Sequence, residues 1–242
     1  CGAGPRGVSG GPARPPGLGA RAEPCAGLRP GHAGGLADRT AGRPCGMERR
    51  LCGLGGAIEA RRVTPGELEA GSPVVLATGP SQDLVSLAPE LGRLSPIKGQ
   101  ILWRGDRPAP TRVIRTEGAY VLGSEGGMLA GATMEAGRGD TAPDPGAQAG
   151  LRQALALLLD VPSDGWETRV GVRAAVPDGL PLAGAASRPG VFLAAGARRN
   201  GWLLAPLVAR IVTAAVTGED AGPWATRLSP GRVFTSGEGG PA

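Results

Sequence analysis

The side chains able to do chemistry are few and unevenly placed. The stretch FLAAGARRNGWLLAP, residues 192–206, runs a short apolar strand into Gly196, the pair Arg198-Arg199 and the turn Asn200-Gly201, then into a second apolar run. A strand, glycine turn and helix in that order aims the free N–H groups and positive dipole end of the helix into the turn. There they can receive an anion or an electron-rich ring edge. The alternative is an ordinary strand-to-helix turn carrying surface arginines. Pro206 tolerates only a first turn, so the helix is expected to start near Leu204 or to bend at the proline. Lys98 is the sole lysine among 26 basic residues, and Tyr120 is the sole tyrosine. A solitary ammonium in PIKGQ suggests a role for a compact point charge; the alternative is a solvated lysine on a strand edge. His32 is the only histidine, so no Ser-His-Asp set can form. Cys1, Cys25, Cys45 and Cys52 follow no zinc spacing, and no metal site is expected.

The elements that must position these groups begin after residue 52. SPVVLATGP (72–80) reads as a continuous apolar strand, buried on both faces of a parallel sheet and stopping at Thr78-Gly79. Short strands follow at 97–105, 111–116, 118–124 and 126–134, divided by turn residues, with GSEGG as a hairpin connection. Residues 144–162 predict a helix with Leu151, Leu155, Leu158 and Leu159 on its apolar side and Pro162 closing it. An extended segment at 168–184 precedes the strand and helix of 192–206 and beyond. The order is a buried strand, an antiparallel block and a return to strand-glycine-helix. It predicts an α/β (α+β mixed) fold, a sheet-and-helix domain with an antiparallel domain inserted into it.

Composition separates the first 52 residues from the rest. They hold eight Arg against three acidic residues, all four cysteines, 13 Gly and 7 Pro. The remaining 18 basic and 18 acidic residues balance, so the sequence pI near 9.7 belongs to this segment and gives the rest no electrostatic reason to bind nucleic acid. The segment shows no apolar run long enough for a strand, helix, signal peptide or membrane span, and irregular coil is expected, with a disulfide framework as the alternative. GAGPRG (2–7) satisfies G-x-G-x-x-G, but nothing but Cys1 precedes it and SGGPARPPGLG after it cannot be helical, so it is not read as a dinucleotide turn. No membrane-spanning segment is expected anywhere in the chain, and the localisation expected is cytoplasmic.

VVLATGP, SPIKGQILW, AYVLGSEGGMLAGATME, GVRAAVPDGLPLAG and VFLAAGARRNGWLLAP occur in the order and spacing of the flavin-dependent D-amino-acid oxidase family. The likeness covers about residues 53–228 and resembles most the glycine oxidase branch, which is associated with thiamine biosynthesis. It implies an FAD-binding Rossmann-type domain, incomplete at its N-terminus here, with an inserted antiparallel-sheet substrate domain. The domains expected are a Gly/Pro/Arg-rich irregular segment at 1–52, disordered or non-native, then part of the FAD-binding domain at 53–96. The antiparallel substrate domain covers 97–168, and the FAD-binding domain returns at 169–242 with the C-terminal helix and tail.

By resemblance, Arg173 matches the arginine that clamps the substrate carboxylate, and Arg199 the one that reaches the substrate pocket. Tyr120 would turn its hydroxyl to the substrate, although YVLGS lacks the Pro-Arg of the family pattern, and Met134 would shape the space for the amino-acid side chain. The alternatives are a half-buried sheet tyrosine and a core methionine. The cofactor positions implied are Val63, Ala77, Thr78, Gly79, Lys98, Gly99, Gly196, Asn200, Gly201, Trp202 and Leu203, with Lys98 near the flavin where oxygen is reduced. Ala197 replaces a larger residue of many relatives and leaves substrate choice open.

The activity implied is oxidative deamination of a small amino acid with FAD as cofactor, O2 as oxidant and hydrogen peroxide as product. Arg173 anchors the carboxylate, positioning supplies most of the acceleration, and no catalytic acid or base is required. The family's opening strand and G-x-G-x-x-G are replaced by residues 1–52, so this chain is expected to bind FAD weakly or not at all. The expectation from another class is a non-catalytic fragment or interaction protein, whose cationic tail holds acidic partners by charge. Which amino acid is oxidised, and the oligomeric state, stay open.

Overall fold

A computed structural model describes residues 46–68, 72–106, 108–124, 126–160 and 164–235. The expectations for His32, for three of the four cysteines and for GAGPRG lie outside the described residues. The described residues divide between 61 and 62 into two units.

The first unit holds helix α1 (Gly46–Gly53), GMERRLCG, with Glu48 in its first turn and Arg50 in its last. Coil was expected here. Met, Glu, Arg and Leu are good helix formers and the two charges complement the helix dipole, so a helix forms although none of its residues is buried. Cys52 is disulfide-bonded, in line with the disulfide alternative to irregular coil.

The second unit is built on two sheets. The smaller has the order β1-β9-β8: β1 (Val74–Leu76) runs parallel to β9 (Val191–Ala195), and β8 (Leu182–Ala185) antiparallel to it. The larger has β2 (Ser95–Arg104) at its centre, with β7 (Glu167–Ala175) on one edge. On the other edge lie β5 (Gly127–Gly131) and the short β6 (Glu135–Ala136), and β4 (Tyr120–Ser124) and β3 (Ile114–Arg115) continue outward from β5. Every pairing in it is antiparallel. The large sheet is thus inserted between the first strand of the small sheet and its last two, as the order of apolar segments predicts.

Three expectations about elements are corrected. β1 is an edge strand, paired with β9 alone among the described residues, and it is not covered on both faces: Leu76 is buried while Val75, on the other face, is 47% exposed. Helix α2 (Pro145–Ala156) starts with the Asp144 carboxylate accepting from the Ala147 N–H at 3.0 Å. It ends before Leu158 and Leu159, not at Pro162, and Leu151 and Leu155 are its buried pair. Helix α3 (Gly201–Thr217) begins at Gly201 and carries Pro206 inside it, in its second turn. The N–H that proline lacks would have reached the carbonyl of Trp202, and Trp202 is 88% exposed, so water can satisfy that carbonyl.

Two faces of the small sheet are packed. On one, Leu76, Leu182 and Leu193 meet Leu87, Leu91 and Leu94 of the segment that leads into β2. On the other, Ala183 and Phe192 meet Ile211 and Val212 of α3 and Leu228 of the short helix α4 (Ala225–Leu228). A last turn, α5 (Arg232–Thr235), is fixed by Arg232, whose Nε donates to Asp178 at 2.7 Å and whose Nη2 donates to the Leu180 carbonyl at 2.7 Å. That guanidinium holds the Asp178 carboxyl below its ordinary range.

Residues Arg198–Thr217, which include α3, are long and apolar enough to cross a membrane by length and composition, with 17% of the window buried. The sequence reading expected no such segment. Here the helix lies on the small sheet through Ile211, Val212 and Ala214, and its N-terminal Trp202 and Leu203 face outward, 88% and 78% exposed.

Candidate cofactor and substrate site

Alternation in the large sheet separates a closed face from an open one. On the closed face Leu102, Val121, Met128 and Ala130 are buried against Leu151 and Leu155 of α2. The residues between them in sequence, Ile101, Trp103, Tyr120, Leu122 and Leu129, are only half-buried, so they line the open face. Register then fixes neighbours on that face. Tyr120 pairs with Gly131, Gly131 with Ile101, and Ile101 with Arg169; one step along, Gly99 pairs with Gly171, and beyond it Ile97 pairs with Arg173.

Glycine is what makes this face usable. A Cβ on Gly99 would overlap the guanidinium of Arg173, and a Cβ on Gly131 would lie 2.5 Å from the Tyr120 hydroxyl oxygen. Each glycine therefore lets a longer side chain lie flat across the sheet floor. Arg173 Nη1 is buried and has no hydrogen-bond partner. A buried guanidinium nitrogen left without an acceptor costs free energy, and a ligand carboxylate is the acceptor its fork geometry suits. The Arg115 guanidinium lies 5.9 Å from the Tyr120 ring centroid and braces the ring from β3.

The glycine turn lies at the end of this strand. Ala175, the last residue of β7, bridges Ala197, and a 3-10 turn over Arg198–Asn200 leads into α3. Gly196 has φ +76°, and a Cβ there would come 2.9 Å from Val176 Cγ2, so the chain can turn there only as glycine. Arg198 has φ +52°. The Asn200 side chain makes no capping bond to α3, and the Asn200 N–H in the turn before it donates to the Ala197 carbonyl at 2.9 Å. Arg199, Asn200, Trp202 and Leu203 surround that turn.

At the C-terminal end of β1 a crevice of about 420 Å³ is lined by Val63, Val75, Ala77, Thr78, Ser81 and their neighbours. Three of the residues matched by resemblance to cofactor positions, Val63, Ala77 and Thr78, meet in it, and Gly79 follows with φ +61°. The end of a parallel strand is where open α/β sheets receive a nucleotide cofactor. Gly196, the start of α3 and this crevice are the positions that would hold an FAD. G-x-G-x-x-G does not occur among the described residues.

Lys98 is corrected. It is fully buried, and its place in β2 between Ile97 and Gly99 puts it on the sheet face opposite Arg173. Its Nζ donates to Asp140 Oδ1 at 2.6 Å and lies 3.9 Å from Glu135 Oε2. It is neither a charge facing the open side nor a solvated edge lysine. Together with Arg138, which donates to Asp140 at 2.9 Å and to Asp144 at 2.8 Å, it ties the loop before α2 to the sheet. The Lys98 bond, more than that of Arg138, lowers the Asp140 carboxyl from 3.8 to about 2.

Met134 lies between β5 and β6, 44% exposed. It borders the β2 edge opposite β7 and is not a core methionine. Reading by residue type overlooked Gly131, Ile101, Trp103 and Arg169. The signal was present, because Arg169 stands four residues before Arg173 in an alternating strand and must share its face.

A parallel strand ending at a crevice, a glycine turn under a helix start and an inserted antiparallel sheet whose open face holds a buried, unpartnered arginine nitrogen are the features of a flavin-type oxidoreductase fold. The chain belongs to the DAO family of FAD dependent oxidoreductases, whose profile matches residues 46–215. FAD is the cofactor of that family. The chain is 36% identical over 174 residues to the tRNA 5-methylaminomethyl-2-thiouridine biosynthesis bifunctional protein MnmC of Caulobacter sp. (strain K31), a match covering 66% of this chain and 28% of that protein. It is 34% identical over 148 residues to the glycine oxidase of Geobacillus kaustophilus (strain HTA426), covering 57% of this chain and 39% of the relative. Among solved structures, glycine oxidase from Geobacillus kaustophilus superposes with TM-score 0.55 at 30% identity, covering 64% of this chain and 44% of that one. Iminodiacetate oxidase from Chelativorans sp. BNC1 superposes with TM-score 0.57 at 25% identity, covering 66% and 46%. The chain thus spans less than half the length of these proteins.

Proposed function

We propose that this chain carries the substrate-binding sheet and the ring-side cofactor contacts of an amine oxidase acting on a small amino acid. The observation that carries this reading is the buried Nη1 of Arg173, unpartnered on the open face that also holds the Tyr120 hydroxyl. Arg173 takes the substrate carboxylate in a charge-assisted pair, and Tyr120 and Ile101 bound the space beside it. The start of α3 would stabilise negative charge developing on FAD through its dipole. FAD, when bound, accepts two electrons and a proton from the amino acid and passes them to O2. Amino acid, O2 and water become oxo acid, ammonia and hydrogen peroxide. The residues of this chain supply position and charge, and no side chain is required as acid or base.

The test is the visible absorption of the purified chain after incubation with excess FAD and desalting, followed by peroxide release with glycine and D-alanine. Retained flavin and peroxide formation that Arg173→Lys reduces support the reading; retained flavin with peroxide formation indifferent to that change would overturn it.

A second reading is favoured by one observation. Trp202 and Leu203, at the cofactor end of α3, are 88% and 78% exposed, and Val75 on the edge strand β1 is 47% exposed. An apolar surface at a cofactor site suits a chain that holds FAD only when further protein covers it, and that alone is a fragment without FAD binding. A colourless protein after desalting supports this reading.

A further inference from the structure

Arg173 is not alone on the open face. Arg169, on the same strand, shares its side of the sheet, and its Nη2 is also buried without a hydrogen-bond partner. The two guanidinium groups lean the same way. That of Arg173 lies over Gly99, and that of Arg169 lies 4.8 Å from the Trp103 ring centroid. Gly99 and Trp103 are four residues apart on β2, so at about 3.3 Å per residue the two charges stand about 13 Å apart. The row between them is Tyr120, Gly131 and Ile101, whose glycine leaves the floor open apart from the Tyr120 ring.

Stacking on Trp103 holds the second guanidinium in place, so little freedom is lost when it meets an anion. The neighbour in the same row as Trp103 is Glu167, whose Oε2 lies 3.5 Å from Arg169 Nη2 while its side chain is 50% exposed. That carboxylate balances the charge without satisfying the nitrogen.

We propose that Arg169, braced by Trp103, is a second anion anchor, and that the substrate is an amino acid whose amine carries a chain ending in a carboxylate or phosphate. This rests on the assignment of Arg173 as the first anchor. The bound molecule lies along the open face with its α-carboxylate at Arg173, its chain over Ile101 beside Tyr120, and its far anion at Arg169. Glycine and D-alanine then fill only the first half of the site.

The experiment is calorimetric binding to the purified chain of N-(5-carboxypentyl)glycine, its phosphonate analogue and the uncharged-tail isostere N-hexylglycine. The expected result is at least tenfold tighter binding of one of the dianions than of N-hexylglycine, and the better dianion identifies the terminal group. Arg169→Gln should erase that difference while leaving N-hexylglycine binding intact. Glu167→Gln should strengthen the dianions alone, which covers the case in which Arg169→Gln fails to fold. Arg173→Gln should weaken all three. Equal affinities for the three ligands, or a difference that survives Arg169→Gln and ignores Glu167→Gln, overturns the second anchor and leaves the first standing. Failure of all three to bind the wild-type chain overturns both.

Discussion

The guanidinium of Arg173 lies directly over Gly99, the position on β2 that pairs with Gly171 two residues before it. The arginine is therefore placed by the absence of a side chain on the neighbouring strand. Gly99→Ala should lift Arg173 off the sheet floor. Loss of one charge-assisted bond to a carboxylate is worth about 1.5–3 kcal/mol, so the affinity for glycine should fall roughly ten- to a hundredfold. Titration of glycine into wild type and variant, with circular dichroism to verify folding, measures this; unchanged affinity would show that Arg173 does not hold the carboxylate.

Arg173→Lys keeps the charge and loses the fork. A lysine reaches a carboxylate with one bond at a time, so a bidentate partner should lose roughly tenfold in affinity or more. An amine without a carboxylate should bind both forms alike. Comparing glycine with methylamine isolates the effect.

Tyr120 and Gly131 form the second such pair, the ring lying over the glycine. Gly131→Ala should displace the ring and lower amino-acid affinity more than Tyr120→Phe, which keeps the ring and removes only the hydroxyl. The two variants ranked in the other order would mean that the hydroxyl, not the ring position, matters.

Lys98 is a prediction about stability. Removing the ammonium by Lys98→Met empties a fully buried position between Asp140 and Glu135 and leaves the two carboxylates to Arg138 alone. Breaking one partner from a buried pair is strongly destabilising, and the midpoint of thermal unfolding should fall by more than about 5 °C. A smaller fall would show the pair to be solvated.

The same pair has a pH signature. Lys98 and Arg138 depress the Asp140 carboxyl from 3.8 to about 2 in the folded protein. A carboxylate with a depressed folded value binds its proton more readily when unfolded, so its stabilising effect is complete above 3.8 and is lost as pH falls toward 2. Unfolding midpoints measured from pH 5 to pH 2 should drop more steeply for wild type than for Asp140→Asn. Parallel curves would remove Asp140 from the account.

Much of this was legible in residue order alone. VVL, VFLAA and the apolar run after Gly201 announce two parallel strands and a helix because burial demands apolar residues at those periods, and the alternating block between them announces an inserted antiparallel sheet. The family resemblance added Arg173 and Tyr120, and strand alternation places them on one face once register is known. Val63, Ala77 and Thr78 could be singled out, yet that they share one crevice depends on where Val63, far from β1 in pattern, is folded back.

Other features were decided by tertiary structure. Lys98 sits between two open-face positions, and parity alone turns it to the closed side, where Asp140 forty-two residues away supplies its counter-charge. Pro206 reads as a helix start near Leu204 or a bend, yet the helix runs from Gly201 with the proline inside it and packs Ile211 and Val212 on the sheet. The guanidinium of Arg173 rests over Gly99 because β2 and β7 pair in one particular register. Residue types and periods set which elements form and which residues could act, since those follow from local sterics and burial. Which of them face one another is fixed by long-range strand pairing, whose register no local pattern contains.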